Sequence, residues 1–344
     1  MTKPGRNLWA LAGTAAGLAV GVAAERSVVR RRRRNDPEGG EDFGSRRGVR
    51  SRTIDLPDGA QIFIEEAGPE STRGAVFAHG SALRTDVWHY QMRGIDSHRL
   101  VFFDLRGHGL SMPKGESEYT VRTLADDLEA VIDDAGLDEL VIVGHSVGGM
   151  VALEYCVRRV AQLGNRIKGI VLLNTTYGPA AETLAGGAAV SRLERVTRRP
   201  FDFIGSHSES LERLRRVIKP SDALFWTVAI AAFGPGASAR QIDFTYDMLA
   251  ETPADVIFDL VRSYRVFDVR GNLDEVTVPA LVIGGTHDRL TVGKASQFLA
   301  DNLPKAELKM LEGCGHMSML ERHRDVDRLI NGFMHDVLGR DEHG

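Results

Sequence analysis

From about residue 53 onward, apolar positions recur with two different periods. Thr53 to Leu56 and Gln61 to Glu66 alternate around Pro57-Asp58-Gly59, which predicts a β-hairpin. Short apolar runs at Ala75–Ala78, Leu100–Asp104, Glu139–Val143, Gly169–Leu173, Pro279–Gly285 and Ala306–Leu311 predict buried strands. Between them lie helical patterns at Val87–Arg93, Thr120–Ala135 and Met150–Leu163. Strands alternating with helices demand a parallel sheet with right-handed crossovers, an α/β architecture. The rhythm breaks between about Tyr177 and Asn272. Helical candidates there are Ser191–Thr197, Glu209–Val217, Asp222–Phe233 and Pro253–Tyr264. The pattern therefore divides the chain into an N-terminal part (1–50), a core built from 51–176 and 272–344, and a helical insertion (177–271).

One strand-to-helix junction carries chemistry. The run Val141-Ile-Val ends in Gly144-His145-Ser146-Val147-Gly148, and a helical pattern follows at once. A tight turn of this kind strains the serine backbone, lifts its hydroxyl clear of the sheet, and needs glycine on both sides. A serine hydroxyl is a poor nucleophile at neutral pH unless an imidazole takes its proton, and that imidazole needs a carboxylate to fix its tautomer. Asp288 stands just after the Pro279–Gly285 strand. His316 stands just after the Ala306–Leu311 strand, inside Glu312-Gly-Cys-Gly-His-Met. Eleven histidines are present, so position matters more than identity; His316 is singled out by its strand end and neighbouring glycines.

Serine, aspartate and histidine in that order, each after a strand, resemble the serine hydrolases of the α/β-hydrolase superfamily, esterase-like or lipase-like. The likeness spans residues 53 to about 338 and includes Ala78-His79-Gly80-Ser81, Trp88, and Asp104-Leu-Arg106-Gly107-His108-Gly109. It implies the α/β-hydrolase fold, a mostly parallel sheet flanked by helices, with the 177–271 insertion as a helical cap. It also implies catalytic roles for Ser146, His316 and Asp288, and an oxyanion hole from the backbone N–H groups of Ser81 and Val147. The Asp-x-Arg-Gly-His-Gly stretch is expected to brace the floor of the site. A serine nucleophile excludes the branches that form alkyl-enzyme esters on a carboxylate. Ester hydrolysis is the leading expectation. Lipase, thioesterase, C–C hydrolase, cofactor-free haloperoxidase-like, acyltransferase and non-catalytic receptor readings share the same motifs.

Substrate choice is less legible. Leu224 to Phe233 is the most apolar part of the insertion, so Phe225 and Trp226, with Trp88 and Met317 near the motifs, are candidate pocket residues. The expected substrate is a small-molecule or lipid-like ester. With no CxxC or HExxH spacing, no metal site is expected, nor any cofactor. The two cysteines, Cys156 and Cys314, indicate no disulfide framework.

Charge separates the chain into unlike parts. Eleven basic and five acidic residues lie within the first 50, leaving 32 basic and 42 acidic beyond, so the body is acidic and nucleic acid is an unsuitable partner. The 17 residues from Leu8 to Ala24 are uncharged, and Arg30 to Arg34 follow as a continuous run. This suggests membrane attachment through Leu8–Ala24 with the catalytic domain on the cytoplasmic side; a cleaved secretory signal and a soluble or surface-bound helical extension are the alternatives, which would leave the protein secreted or cytoplasmic. Asn35 to Arg50, rich in glycine and charge, reads as a mobile linker, so a chain starting near Arg50 would keep every catalytic element.

Overall fold

A computed structural model describes residues 26–45, 48, 50–112, 118–179 and 222–339. Eight strands form one sheet in the order β1-β2-β4-β3-β5-β6-β7-β8. They are β1 (Arg50–Asp55), β2 (Gln61–Ala67), β3 (Arg73–Ala78), β4 (Arg99–Phe103), β5 (Glu139–His145), β6 (Ile167–Leu173), β7 (Ala280–Gly285) and β8 (Ala306–Leu311). β2 runs antiparallel to both β1 and β4, and from β4 to β8 every pairing is parallel. This is the fold class the resemblance implied.

The sheet is buried on both faces, so its central strands read as continuous apolar runs. Side chains nevertheless alternate. Leu140 and Ile142 of β5 join one core while Val141 and Val143 join the other; Ile170 and Leu172 of β6 are likewise separated from Val171 and Leu173. The helices Val121–Ala135, Val147–Arg158 and Gly293–Asn302 cover the first face, and His323–Leu338 covers the second. Thr120 starts the first of these helices as an N-cap, its side chain accepting the Thr123 N–H, and Gly136 ends it in the left-handed conformation at φ 61°.

Between β6 and β7 the described chain is helical: Asp222–Ala232, Ala239–Glu251 and Ala254–Tyr264. The candidates at Ser191–Thr197 and Glu209–Val217 lie outside the described residues. The Ala239–Glu251 helix was not expected from the sequence. Its buried positions are Ala239, Gln241, Ile242, Phe244, Thr245 and Met248, so two of the six are polar and they interrupt the apolar stripe.

The N-terminal part departs from expectation. Leu8–Ala24 lies outside the described residues; among those described, no helix is long and apolar enough to cross a membrane. Residues 26–34 are helical, and 35–45, expected as a mobile linker, are fixed against the body. Arg33 pairs with Asp243 through two 2.8 Å bonds. Asp36 accepts from Ser238 Oγ and Arg240 N at the start of the Ala239–Glu251 helix, where negative charge is favoured. Phe43 is 8% exposed and stacks on Phe244 at 4.6 Å. Glu38 accepts from the Tyr90 hydroxyl, and Glu41 meets His89 and Arg93. The segment thus straps the helical insertion to the main domain.

Candidate active site

The backbone at Ser146 has φ 53° and ψ −118°, a conformation costly to any residue with a side chain. The flanking glycines allow it by close approach. A Cβ on Gly148 would lie 2.0 Å from the Ala78 carbonyl oxygen, and one on Gly144 would lie 2.4 Å from that of Gly148. Ser146 N–H donates to Leu173 O, and its carbonyl accepts from Thr175 Oγ1, so β6 holds the turn in place. The Val147–Arg158 helix starts directly behind the serine, its positive end beneath the hydroxyl.

Among the described residues only two further non-glycines have positive φ, Ala82 at 58° and Asn174 at 45°. Both adjoin this turn. Ala82 follows Ser81 on the loop after β3; a Cβ on Gly80 would meet the Ser146 Cβ at 3.0 Å. Two histidines knit this loop to the one after β4. His79 Nε2 accepts the Leu105 N–H at 2.9 Å, and His108 Nε2 accepts the Ala82 N–H at 3.0 Å. Each ring donates its Nδ1–H to a carbonyl, Gly80 O and Arg106 O respectively. Both must therefore be neutral, and burial holds them so, pushing His79 down to about 3 and His108 to about 4. Neither the Ser81 N–H nor the Val147 N–H is engaged by a described residue, leaving both as available donors. Arg106 is clamped by two bonds to Asp127, a pairing buried on both sides, so the Asp-x-Arg-Gly-His-Gly stretch serves as bracing.

Asp288 and His316 are brought together at the ends of β7 and β8. His316 Nδ1 donates to Asp288 Oδ2 at 2.9 Å, which leaves Nε2 as the unprotonated nitrogen. Asp288 also accepts from Leu290 N, Thr291 N, Thr291 Oγ1 and Asn174 Nδ2. Burial pushes its carboxyl up, but the His316 imidazole and these donors outweigh it and hold the group down to about 2. Asn174 additionally donates to Gly315 O, tying the end of β6 to the histidine loop. His145 Nε2 donates to His316 O at 3.0 Å, and the two rings lie 4.8 Å apart. The serine turn and the histidine loop are thereby joined, although Ser146 Oγ makes no hydrogen bond among the described residues.

Several of these partners escaped the sequence reading. Thr291 had a local signal, the Asp-x-x-Thr spacing of a side-chain turn. Asn174 and Glu321 had none, because their partners are distant in the chain. Glu321 Oε1 accepts Gly315 N, and Oε2 accepts Gly234 N at 2.8 Å. One carboxylate thus bridges the histidine loop and the end of the Asp222–Ala232 helix, whose Ala232 O also receives the His316 and Met317 N–H groups.

Burial pushes the Glu321 carboxyl up to about 7, and Asp288 adds to the rise against the pull of the backbone N–H donors. A carboxyl raised in the folded state binds its proton more tightly there than in the unfolded chain. Its contribution to stability is greatest below pH 4.5 and is lost as pH rises through about 7. Glu321→Gln cannot ionise and loses one acceptor at every pH. Its melting temperature, measured against the unsubstituted protein from pH 5 to 8, is expected to rise relative to it as pH increases. A constant difference across that range would contradict this.

Of the expected pocket residues, Trp88, Phe225 and Met317 are buried and Trp226 is half-buried. Trp88 is fully buried against Phe77, with ring centroids 5.2 Å apart, so it lines no cavity wide enough for water. Phe225 is 2% exposed and lies under the Arg33 guanidinium, with Trp226 under that of Arg32. Those rings anchor the N-terminal helix. Met317 is buried at the start of a short helix. Both cysteines are buried, and burial pushes the Cys156 thiol up to about 12 and that of Cys314 upward as well. Neither is poised as a nucleophile.

The profile of the alpha/beta hydrolase fold family matches residues 76–323. A non-heme chloroperoxidase of Kitasatospora aureofaciens is 27% identical over 269 residues, covering 75% of this chain and 90% of that protein. An esterase of Rhodococcus sp. ECU1013 superposes with a TM-score of 0.68 at 22% identity, covering 83% of this chain and 99% of the other. A membrane phospholipase A described as a bacterial virulence factor superposes at 0.65 and 21% identity, covering 96% and 97%. The last two likenesses show a shared fold. Taken with the profile match over most of the chain, they lead to one conclusion: this protein belongs to the alpha/beta hydrolase fold family.

Proposed function

We propose that the protein is a serine hydrolase that cleaves carboxylic esters, with Ser146 as nucleophile, His316 as general base and Asp288 as its orienting carboxylate. The observation that carries this reading is the buried 2.9 Å Asp288–His316 bond beside a strained Ser146 turn. His316 Nε2 takes the hydroxyl proton as Ser146 Oγ attacks the ester carbonyl. The oxyanion is held by the N–H groups of Ser81 and Val147, a stabilisation of several kcal/mol on the order of 3 per donor. His316 then passes the proton to the leaving alkoxide, an acyl-serine remains, and water activated by the same imidazole releases the acid. With its carboxyl held down to about 2, Asp288 stays ionised throughout the neutral range.

The test joins a serine-reactive fluorophosphonate to a panel of p-nitrophenyl esters. Mass increase on the peptide containing Ser146, together with ester turnover abolished by the same reagent, is expected. Turnover that survives complete labelling of Ser146 would sink the assignment.

A further inference from the structure

A cavity of about 610 Å³ lies where the N-terminal strap meets the helical insertion. Its wall is formed by Phe43, Leu224, Phe244, Leu249, Ile257 and Phe258. The volume falls within the usual range for small-molecule sites, roughly 300–1,000 Å³. Four charged residues share the wall: Arg84 is paired with Glu251 and Asp86, Arg240 donates to Glu41 O, and Asp247 and Glu251 are exposed to solvent. The six apolar side chains supply the surface that favours hydrocarbon.

Two chain paths bound the distance between this cavity and the Ser81 loop, which lies against the Ser146 turn at Gly80. Ala254, Ile257 and Phe258 share one face of the Ala254–Tyr264 helix, and Tyr264, seven residues beyond Ile257, returns to that face. The buried Tyr264 hydroxyl lies beside Ser81. Two helical turns separate the cavity wall from that loop, about 10 Å at 1.5 Å per residue. Arg84 gives a similar limit, being three residues past Ser81, at most about 10 Å of extended chain.

We infer that this cavity receives the far end of a long, unbranched acyl chain whose carbonyl sits between Ser146 and the Ser81 and Val147 N–H groups. The inference rests on the proposed esterase reading and adds a substrate class to it. A zigzag of about 1.5 Å bonds advances about 1.3 Å per methylene, so roughly eight methylenes cross the gap. Shorter acyl groups never reach the cavity. Each methylene beyond that length gains about fourfold in affinity until the space is filled.

The experiment compares p-nitrophenyl butyrate with the dodecanoate for the unsubstituted protein, Ile257→Trp and Ala250→Phe. Ala250 also borders the cavity but is exposed, so its substitution keeps the test valid should Ile257→Trp fail to fold. The dodecanoate-to-butyrate ratio of kcat/KM is expected to fall tenfold or more in each folded variant, with butyrate turnover unchanged. Calorimetric titration of dodecanoate into Ser146→Ala provides an arm independent of catalysis, where binding is expected and should be lost on adding Ile257→Trp. Ratios within twofold of the unsubstituted protein, or dodecanoate binding untouched by Ile257→Trp, overturn the inference. Absence of ester turnover with dodecanoate binding intact would overturn the esterase reading and leave the cavity assignment standing.

Discussion

Ser146→Ala is expected to lower ester turnover by on the order of 10⁴-fold or more while leaving the melting temperature nearly unchanged. A loss of that size corresponds to about 5.4 kcal/mol of barrier. It removes the attacking atom but keeps Cβ, so the strain at φ 53° is retained. Ser146→Gly should be equally inactive yet more stable, because glycine adopts that conformation without cost. His316→Ala is expected to match the activity loss, and the double variant should be scarcely worse than either single one, since the groups act as a unit. Asp288→Asn should be damaging through loss of the tautomer control imposed by the 2.9 Å bond. Steady-state kinetics on a short p-nitrophenyl ester, paired with thermal melts, decide the matter. Near-full activity in Ser146→Ala would remove the proposed nucleophile.

Removal of residues 1–49 should destabilise the protein, although a chain starting near Arg50 keeps every catalytic element expected from the sequence. Burial of Phe43 and of Val29, which has no exposed surface, contributes roughly 1.5–3 kcal/mol each. The Asp36 carboxylate at a helix start adds about 0.3–1 kcal/mol. The Arg33–Asp243 pair, part-exposed on both sides, adds little. The strap's remaining contacts and the entropy of ordering it oppose each other, and a net loss on the order of 2–4 kcal/mol is expected, or a drop of roughly 3–6 °C. Differential scanning calorimetry of the shortened and full chains measures it. Superimposable melts would show that the strap merely rests on the surface.

Those two cases mark what the chain discloses before folding. The sheet was legible because its strands are continuous apolar runs bounded by turn residues, and the Ser146 turn because strand, glycines and helix are consecutive. Asp288 could be picked out by its strand end, and His316 by its strand end and neighbouring glycines. The strap was hidden because Arg33 and Phe43 find their partners some 200 residues away, at Asp243 and Phe244. Composition then described only a charged, glycine-rich stretch. Phe225 and Trp226 were ambiguous for a related reason. An apolar helix face says that something covers it, and in the structure arginine side chains lie over both rings. Gln241 blurred its own helix by spending its amide on Leu320 O, a purpose no periodicity reveals.

The stitching of residues 232–234 to the histidine loop has a mechanical meaning. Ala232 O holds two N–H groups of that loop, and Glu321 grips Gly234 and Gly315 together. A Cβ on Gly315 would strike the Gly234 nitrogen at 2.5 Å, so the two strips of backbone touch without room to slide. The C-terminal end of the Asp222–Ala232 helix is therefore a pivot and cannot serve as a hinge that swings clear. Any opening of the insertion must be greatest away from this point, and a displacement here would carry the imidazole with it. His316 stays registered to the roof above it, whatever the rest of the roof does.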